Sequence, residues 1–148
     1  MFSKLRKSFG KSILILAAIC LIACNVYAQG AQELYDKAKD YLNKGMYDQA
    51  IGELTKAIQI DPNFAEAYCL RGNLYRNKSD LASAIPDYSK SIELDPNNGE
   101  VYYYRAICYY FTKEYDKAWD DVHKAENLGY KVFPGFIEDL KQASGRDK

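Results

Sequence analysis

Three side chains beyond residue 28 could carry covalent chemistry: the thiols of Cys69 and Cys108 and the imidazole of His123, the single histidine of the chain. A thiol beside an imidazole would form a nucleophile–base pair, and the same residue types bind zinc. Neither constellation is expected to assemble. One histidine cannot build a zinc site of the usual kind. The chain also has no glycine-rich phosphate loop and no Gly-x-Ser-x-Gly turn. His123, with Asp120 and Asp121 nearby, reads as a solvated helix-surface residue. No catalytic residue, metal or cofactor is therefore expected, and the chemistry left to the chain is recognition.

The elements that must position any recognition surface follow a fixed period. Asp61-Pro62 and Asp95-Pro96 stand 34 residues apart, as do successive members of the series Ala50, Ala84, Ala118 and Tyr41, Tyr75, Tyr109. Ala38, Gly72 and Ala106 make another such series. A period of 34 with small residues at set offsets is the signature of stacked helix–turn–helix units. Copies starting at Ala31, Ala65 and Gly99 place Leu34, Tyr68 and Tyr102 at position 4. Position 8 then holds Ala38, Gly72 and Ala106, and position 11 holds Tyr41, Tyr75 and Tyr109. Those offsets make one apolar stripe on a first helix. Position 20 (Ala50, Ala84, Ala118), position 24 (Leu54, Tyr88, Val122) and position 27 (Ala57, Ser91, Ala125) make a second stripe on a second helix. The small residues at positions 8 and 20 let the paired helices approach closely.

Helix ends agree with this phase. Each Asp-Pro closes a second helix, because the residue before proline is pushed out of the α region. Asn63, and Asn97 or Asn98, are expected to cap the following helix through their side chains. Gly45 falls in the turn of copy one, and Gly129 in Leu128-Gly129-Tyr130 is a stop for copy three. Pro86 lies about five residues into a second helix, which predicts a late start or a slight kink. Cys69 and Cys108 fall on neighbouring helices offset by about 7.5 Å at the rise of an α-helix. That is a poor match to disulfide geometry, so free thiols are expected.

The pattern resembles the tetratricopeptide repeat family over residues 31–132. The resemblance implies an all-α, right-handed superhelical solenoid of antiparallel helix pairs, with repeats at 31–64, 65–98 and 99–132. Residues 133–148 continue the register with Phe136, Leu140 and Ala143 at positions 4, 8 and 11, and read as a C-terminal capping helix and tail. In this family the concave face is lined by positions 2, 5, 9, 12 and 13 of each first helix. That places the partner-binding groove at Tyr35, Lys39, Asn73, Arg76, Asn77, Tyr103, Ile107, Tyr110 and Phe111. The same rule puts Gln32, Leu42, Asn43, Glu66, Cys69 and Glu100 on that face. Phe136 and Ile137 are placed to cover part of its aromatic end. Some family members grip chaperone C-terminal carboxylates through Lys and Asn of the first copy, Asn of the second, and Lys and Arg of the third. Here the corresponding residues are Tyr35, Lys39, Leu70, Glu100 and Tyr104, and none matches.

The first 28 residues have another character. Lys4, Arg6, Lys7 and Lys11 form a basic head, an apolar run follows from Ile13 to Cys24, and no acid occurs before Glu33. These are the parts of a secretory signal peptide, and the run is short of the roughly 20 residues that span a bilayer. Two processing sites compete. Val26 and Ala28 suit a signal peptidase and give a start at Gln29. Leu21-Ile22-Ala23-Cys24 resembles a bacterial lipobox, in which Cys24 is lipidated and holds the protein on a membrane. Without residues 1–28, sixteen basic residues face twenty acidic ones, a formal charge of −4. That argues against a nucleic-acid surface.

The expected protein is an exported bacterial repeat protein, periplasmic or membrane-anchored. It binds a protein or peptide partner in its concave groove as an adaptor or assembly factor. The alternative is a structural or self-assembling envelope protein that forms homo-oligomers through its aromatic C-terminal half.

Overall fold

The computed structural model describes residues 28–146, all-helical with short turns. The basic head, the apolar run and Cys24 lie outside the described residues. Helix α1 occupies residues 28–43. It is followed by α2 (Tyr47–Ile60), α3 (Ala65–Asn77), α4 (Leu81–Leu94), α5 (Gly99–Phe111), α6 (Tyr115–Asn127) and α7 (Pro134–Ser144). Successive helices pack against each other, and α3 also touches α5. Odd-numbered helices thus share one side of the solenoid.

The turn inside each pair is the same motif, repeated at the sequence period. Gly45, Ser79 and Lys113 adopt left-handed backbone with φ of 70°, 62° and 62°. The following amide reaches back five residues: Met46 N–H to the Tyr41 carbonyl at 2.9 Å, Asp80 to Tyr75 at 2.9 Å, and Glu114 to Tyr109 at 2.8 Å. This pattern satisfies carbonyls that a helix end leaves orphaned. Only copy one places glycine, the residue suited to that conformation, in the turn. Gly129 (φ 80°) ends α6 the same way, with Tyr130 N–H bonded to the Ala125 carbonyl at 3.0 Å.

Turns between pairs differ from the sequence expectation. Helices α3 and α5 begin after Phe64 and Asn98, and neither residue makes a side-chain cap bond. Instead Asp61 Oδ1 accepts from Asn63 N–H at 2.9 Å and Asp95 Oδ1 accepts from Asn97 N–H at 3.1 Å. The aspartate before proline closes a local turn on itself, leaving the asparagines out of the capping. A side-chain cap occurs at Asp80, which accepts from Ser83 N–H at 3.1 Å. That cap accounts for a second difference: α4 starts at Leu81 and runs through Pro86 without a late start. The carbonyl deprived of a partner belongs to Ala82. Both Ala82 and Pro86 are exposed, so water can serve that carbonyl.

The core follows the two stripes. Ala38, Ala50, Ala84, Ala106 and Ala118 are all fully buried. Leu54, Tyr88 and Val122 fill the space beside them and are likewise inaccessible. Burial of a side chain such as Leu54 or Leu74 contributes about 1.5–3 kcal/mol. At the C-terminal end, Phe136 and Leu140 of α7 join Tyr102, Ala106, Trp119 and Val122 in one cluster. Trp119 Nε1 donates to Ser144 Oγ at 3.1 Å. Ala143, expected in the buried stripe, is exposed.

A ladder of ion pairs also runs at the repeat period. Arg71 donates to both oxygens of Asp87 at 2.8 Å each, and Arg105 to both oxygens of Asp121 at the same distances. The remaining guanidinium N–H reaches the preceding pair: Arg71 Nη1 to Thr55 Oγ1 at 3.0 Å, Arg105 Nη1 to Ser89 Oγ at 2.9 Å. Each arginine thus ties its own hairpin together and fastens it to the hairpin before. In copy one the same place holds Lys37 and Glu53, 3.2 Å apart, and Glu53 Oε2 is buried without a partner. Lysine is a point donor without the planar fork of arginine, which explains the orphaned oxygen.

Candidate functional site

The inner face is built by α1, α3 and α5, whose residues converge on a pocket of about 230 Å³. Tyr35, Glu66, Cys69, Leu70, Asn73 and Glu100 line it from those three helices, and Ser91, Asp95 and Asn98 close it from the end of α4 and the following turn. A second pocket of about 230 Å³ lies against Arg76, Ser79, Leu81, Ile107 and Phe111. The sequence-selected residues therefore divide. Tyr35 and Asn73 meet in the first pocket, while Arg76, Ile107 and Phe111 meet in the second. Lys39 and Asn77 are exposed and line neither. Tyr103 and Tyr110 turn to the C-terminal core: Phe136 packs edge-on to both, with ring centroids 5.5 and 5.6 Å away. Helix α7 thus covers part of the aromatic end, and Phe111 stays 65% exposed.

Between the pockets runs a hydrogen-bond chain whose polarity follows from donor inventory. Arg76 Nε donates to the Tyr88 hydroxyl at 3.2 Å, and that hydroxyl is 2.7 Å from Asn73 Oδ1. A guanidinium only donates, so the tyrosine proton must go onward to the asparagine carbonyl. The Asn73 amide nitrogen is thereby turned the other way, 3.9 Å from Cys69 Sγ and into the first pocket. Tyr88 is a core residue of α4 whose oxygen organises two groove residues of α3. Arg76 is further held over the Tyr104 ring at 5.1 Å, and the Tyr104 hydroxyl donates to Glu100 Oε1 at 2.6 Å.

The electrostatics of the first pocket are acidic. Glu66, Asp95 and Glu100 line it, and no lysine, arginine or histidine does. Burial pushes the Cys69 thiol up to about 11, with Glu100 and Glu66 adding to the rise. Burial also raises Tyr35, with further contributions from Cys69, Glu66 and Asp36. The Cys108 thiol, fully buried, is likewise pushed to about 11 by burial. Both cysteines are free, and thiols held protonated in this way are weak nucleophiles. His123 lies exposed on α6 and stacks on Trp119 at 5.6 Å. Among the described residues, no group of three or more His, Cys, Asp or Glu is placed to hold a metal ion.

Ser91, Asp95, Asn98 and Tyr88 are site residues that position rules for first helices pass over. A period-based signal existed for two of them: Ser91 stands at position 27, where the other copies have Ala57 and Ala125, and Tyr88 stands at position 24, where they have Leu54 and Val122, opposite the single glycine at position 8.

Comparison with known proteins gives the family. Residues 38–79 match a model of the TPR repeat, and residues 65–98 and 88–120 match two models of the tetratricopeptide repeat. No curated protein sequence matches the chain. Among solved structures, it is similar to the first TPR of Spaghetti (RPAP3) bound to HSP90 peptide SRMEEVD, at 24% identity and a TM-score of 0.72, covering 80% of this chain and 93% of that one. The first TPR domain of human RPAP3 is similar at 22% identity and a TM-score of 0.73, covering 80% and 94%. The TPR2B domain of yeast Sti1, in a pHsp70 complex, is similar at 26% identity and a TM-score of 0.68, covering 81% and 99%. These matches, the helix pairs and the 34-residue turn geometry agree, and the chain, through residues 38–120, belongs to the tetratricopeptide-repeat family.

Proposed function

We propose that this chain is an exported protein-interaction module that holds a segment of another polypeptide on its inner face. It would act as an adaptor or assembly factor in the periplasm or at a membrane surface. The observation that carries the reading is the pair of pockets on α1, α3 and α5, spanned by the fixed Arg76–Tyr88–Asn73 chain. Support comes from similar solved domains, one bound to an HSP90 peptide and one in a pHsp70 complex. The partner chemistry differs, however, since Tyr35, Lys39, Leu70, Glu100 and Tyr104 stand where a carboxylate clamp would place its Lys, Asn and Arg. The role is binding rather than catalysis, consistent with protonated thiols at Cys69 and Cys108. Export rests on the basic head and apolar run of residues 4–24.

Affinity capture from a cell-envelope extract tests the binding reading. The wild-type chain should retain a protein that a Tyr35→Ala, Asn73→Ala variant loses and that an outer-face Lys124→Ala variant keeps. Equal capture by all three, or by none, overturns it. Tyr103 and Tyr110 are unsuitable for the control because they pack on Phe136. Mass determination of the purified protein's N-terminus tests export: a start at Gln29 gives a soluble periplasmic protein, a lipidated Cys24 a membrane-bound one, and an intact Met1 contradicts both.

A second reading, self-association, has its own observation. Phe111 and Phe133 are 65% and 66% exposed, among the most exposed large apolar side chains described. Sedimentation across a concentration series decides it, a strict monomer removing the possibility.

A further inference from the structure

We infer that the inner face selects a cationic segment, taking a lysine or arginine side chain into the pocket between α1, α3 and α5. The inference rests on the proposed groove and specifies its partner chemistry. Three carboxylates, Glu66, Asp95 and Glu100, line this pocket without a basic residue among them. Glu100 spends one oxygen on Tyr104 and Asp95 spends one on Asn97 N–H. A second oxygen of each is left to a ligand.

Charge alone would not make a binding site, but two further features are built into this one. Ser91 lines the pocket while only 3% exposed, and its hydroxyl has no hydrogen-bond partner among the described residues. That hydroxyl is open to the cavity and can bond a group placed there. Asn73 is the other feature: the donor–acceptor order imposed by Arg76 and Tyr88 commits its carbonyl to Tyr88, one amide N–H reaches Cys69 Sγ at 3.9 Å, and the second amide N–H is left to the pocket. An acceptor such as a peptide carbonyl can take that second N–H. The Tyr35 ring forms a wall on which an aliphatic stem or a cation can lie, as Lys39 already does at 5.5 Å. A basic side chain with its own backbone carbonyl fits this combination. An acidic C-terminus would meet three like charges.

The test is selection of peptides from a random displayed library on the full chain, followed by titration of the enriched peptides. Enrichment of Lys or Arg at one position is expected. Binding should weaken at least tenfold in a Glu66→Gln, Glu100→Gln variant that melts like the wild type, and severalfold between 50 and 300 mM salt. As a defined probe, a blocked heptapeptide with a central Arg-Lys-Arg should bind more tightly than its Glu-Asp-Glu counterpart. Enriched peptides that are neutral or acidic, or a double variant with unchanged affinity, overturn the cationic preference and leave the groove reading standing. A library that yields no binder to the inner face overturns both.

Discussion

An added Cβ on Gly72 would lie 2.9 Å from the ring of Tyr88, so these two residues occupy one space between α3 and α4. Copies one and three solve the same problem with Ala38 beside Leu54 and Ala106 beside Val122. Gly72→Ala gains about 1 kcal/mol of helix propensity but overpacks against the ring, at a cost of about 1–3 kcal/mol. Tyr88→Leu restores the room. In a double-mutant cycle by urea unfolding, the pair should show a favourable coupling of about 1–2 kcal/mol. Additive effects would mean that the ring moves aside freely.

The ion-pair ladder predicts unequal copies. Arg105→Ala should cost about 3–5 kcal/mol, because Asp121 is left buried without its partner. Arg71→Lys should also destabilise, losing the fork to Asp87 and the link to Thr55. Conversely, Lys37→Arg with Glu53→Asp installs in copy one the arrangement of the other two and should stabilise, by roughly 1 kcal/mol, because both carboxylate oxygens at position 53 then have a donor. Thermal unfolding of the three variants checks all of this. A copy-one swap that lowers the midpoint would show that the ladder does not transfer.

How much of this was legible before the structure depends on what kind of interaction each residue makes. The buried alanines at positions 8 and 20 were legible because close helix packing leaves a size signature in the sequence. Arg71 with Arg105, and Asp87 with Asp121, repeat at the same period, yet a charged pair on an amphipathic helix reads as solvated until its burial is known. The asparagine caps were misread because Asp61 and Asp95 satisfy those turns from the other side of the proline. The partial cover of Tyr103 and Tyr110 by Phe136 was legible, because the 34-residue register continued past Gly129 puts Phe136 at position 4 of a further first helix. The first pocket was not: it is closed by Ser91 of α4 and by Asp95 in the turn after it, and a stripe pattern within one helix carries no information about that.

Left-handed turn positions supply a third prediction. Ser79 and Lys113 adopt the conformation that Gly45 adopts. A non-glycine residue pays about 1–2 kcal/mol there, partly offset by the greater backbone freedom of unfolded glycine. Ser79→Gly and Lys113→Gly should each stabilise by roughly 0.5–1 kcal/mol, and Gly45→Ala should destabilise. Denaturant midpoints read the signs directly.

Alkaline pH supplies a fourth. Cys69 and Cys108 ionise at about 11 in the native protein against an ordinary value of 9.0. From pH 9 upward the unfolded chain sheds thiol protons that the native state keeps, so stability is full below 9 and falls as pH rises through about 11. Burial raises Tyr88 and Tyr104 above their ordinary value of 10.0, which extends the loss in the same direction. Urea unfolding at pH 8, 9.5 and 10.5 should show this decline, shallower in a Cys69→Ser, Cys108→Ala variant. At pH 8 the native thiols should react slowly with Ellman's reagent and rapidly once urea is added.

The central claim, that the inner face holds another polypeptide, is met most directly by site-specific photo-crosslinking in cells. A benzophenone amino acid in place of Tyr35 keeps the first aromatic ring and extends the reactive ketone from the wall of the first pocket; one in place of Gln59 puts it on an exposed position of α2. A discrete cross-linked protein is expected from the Tyr35 position, none from the Gln59 position, and loss of the product when Glu66→Gln and Glu100→Gln are added. Equal products from both positions, or a product from Gln59 alone, would contradict it.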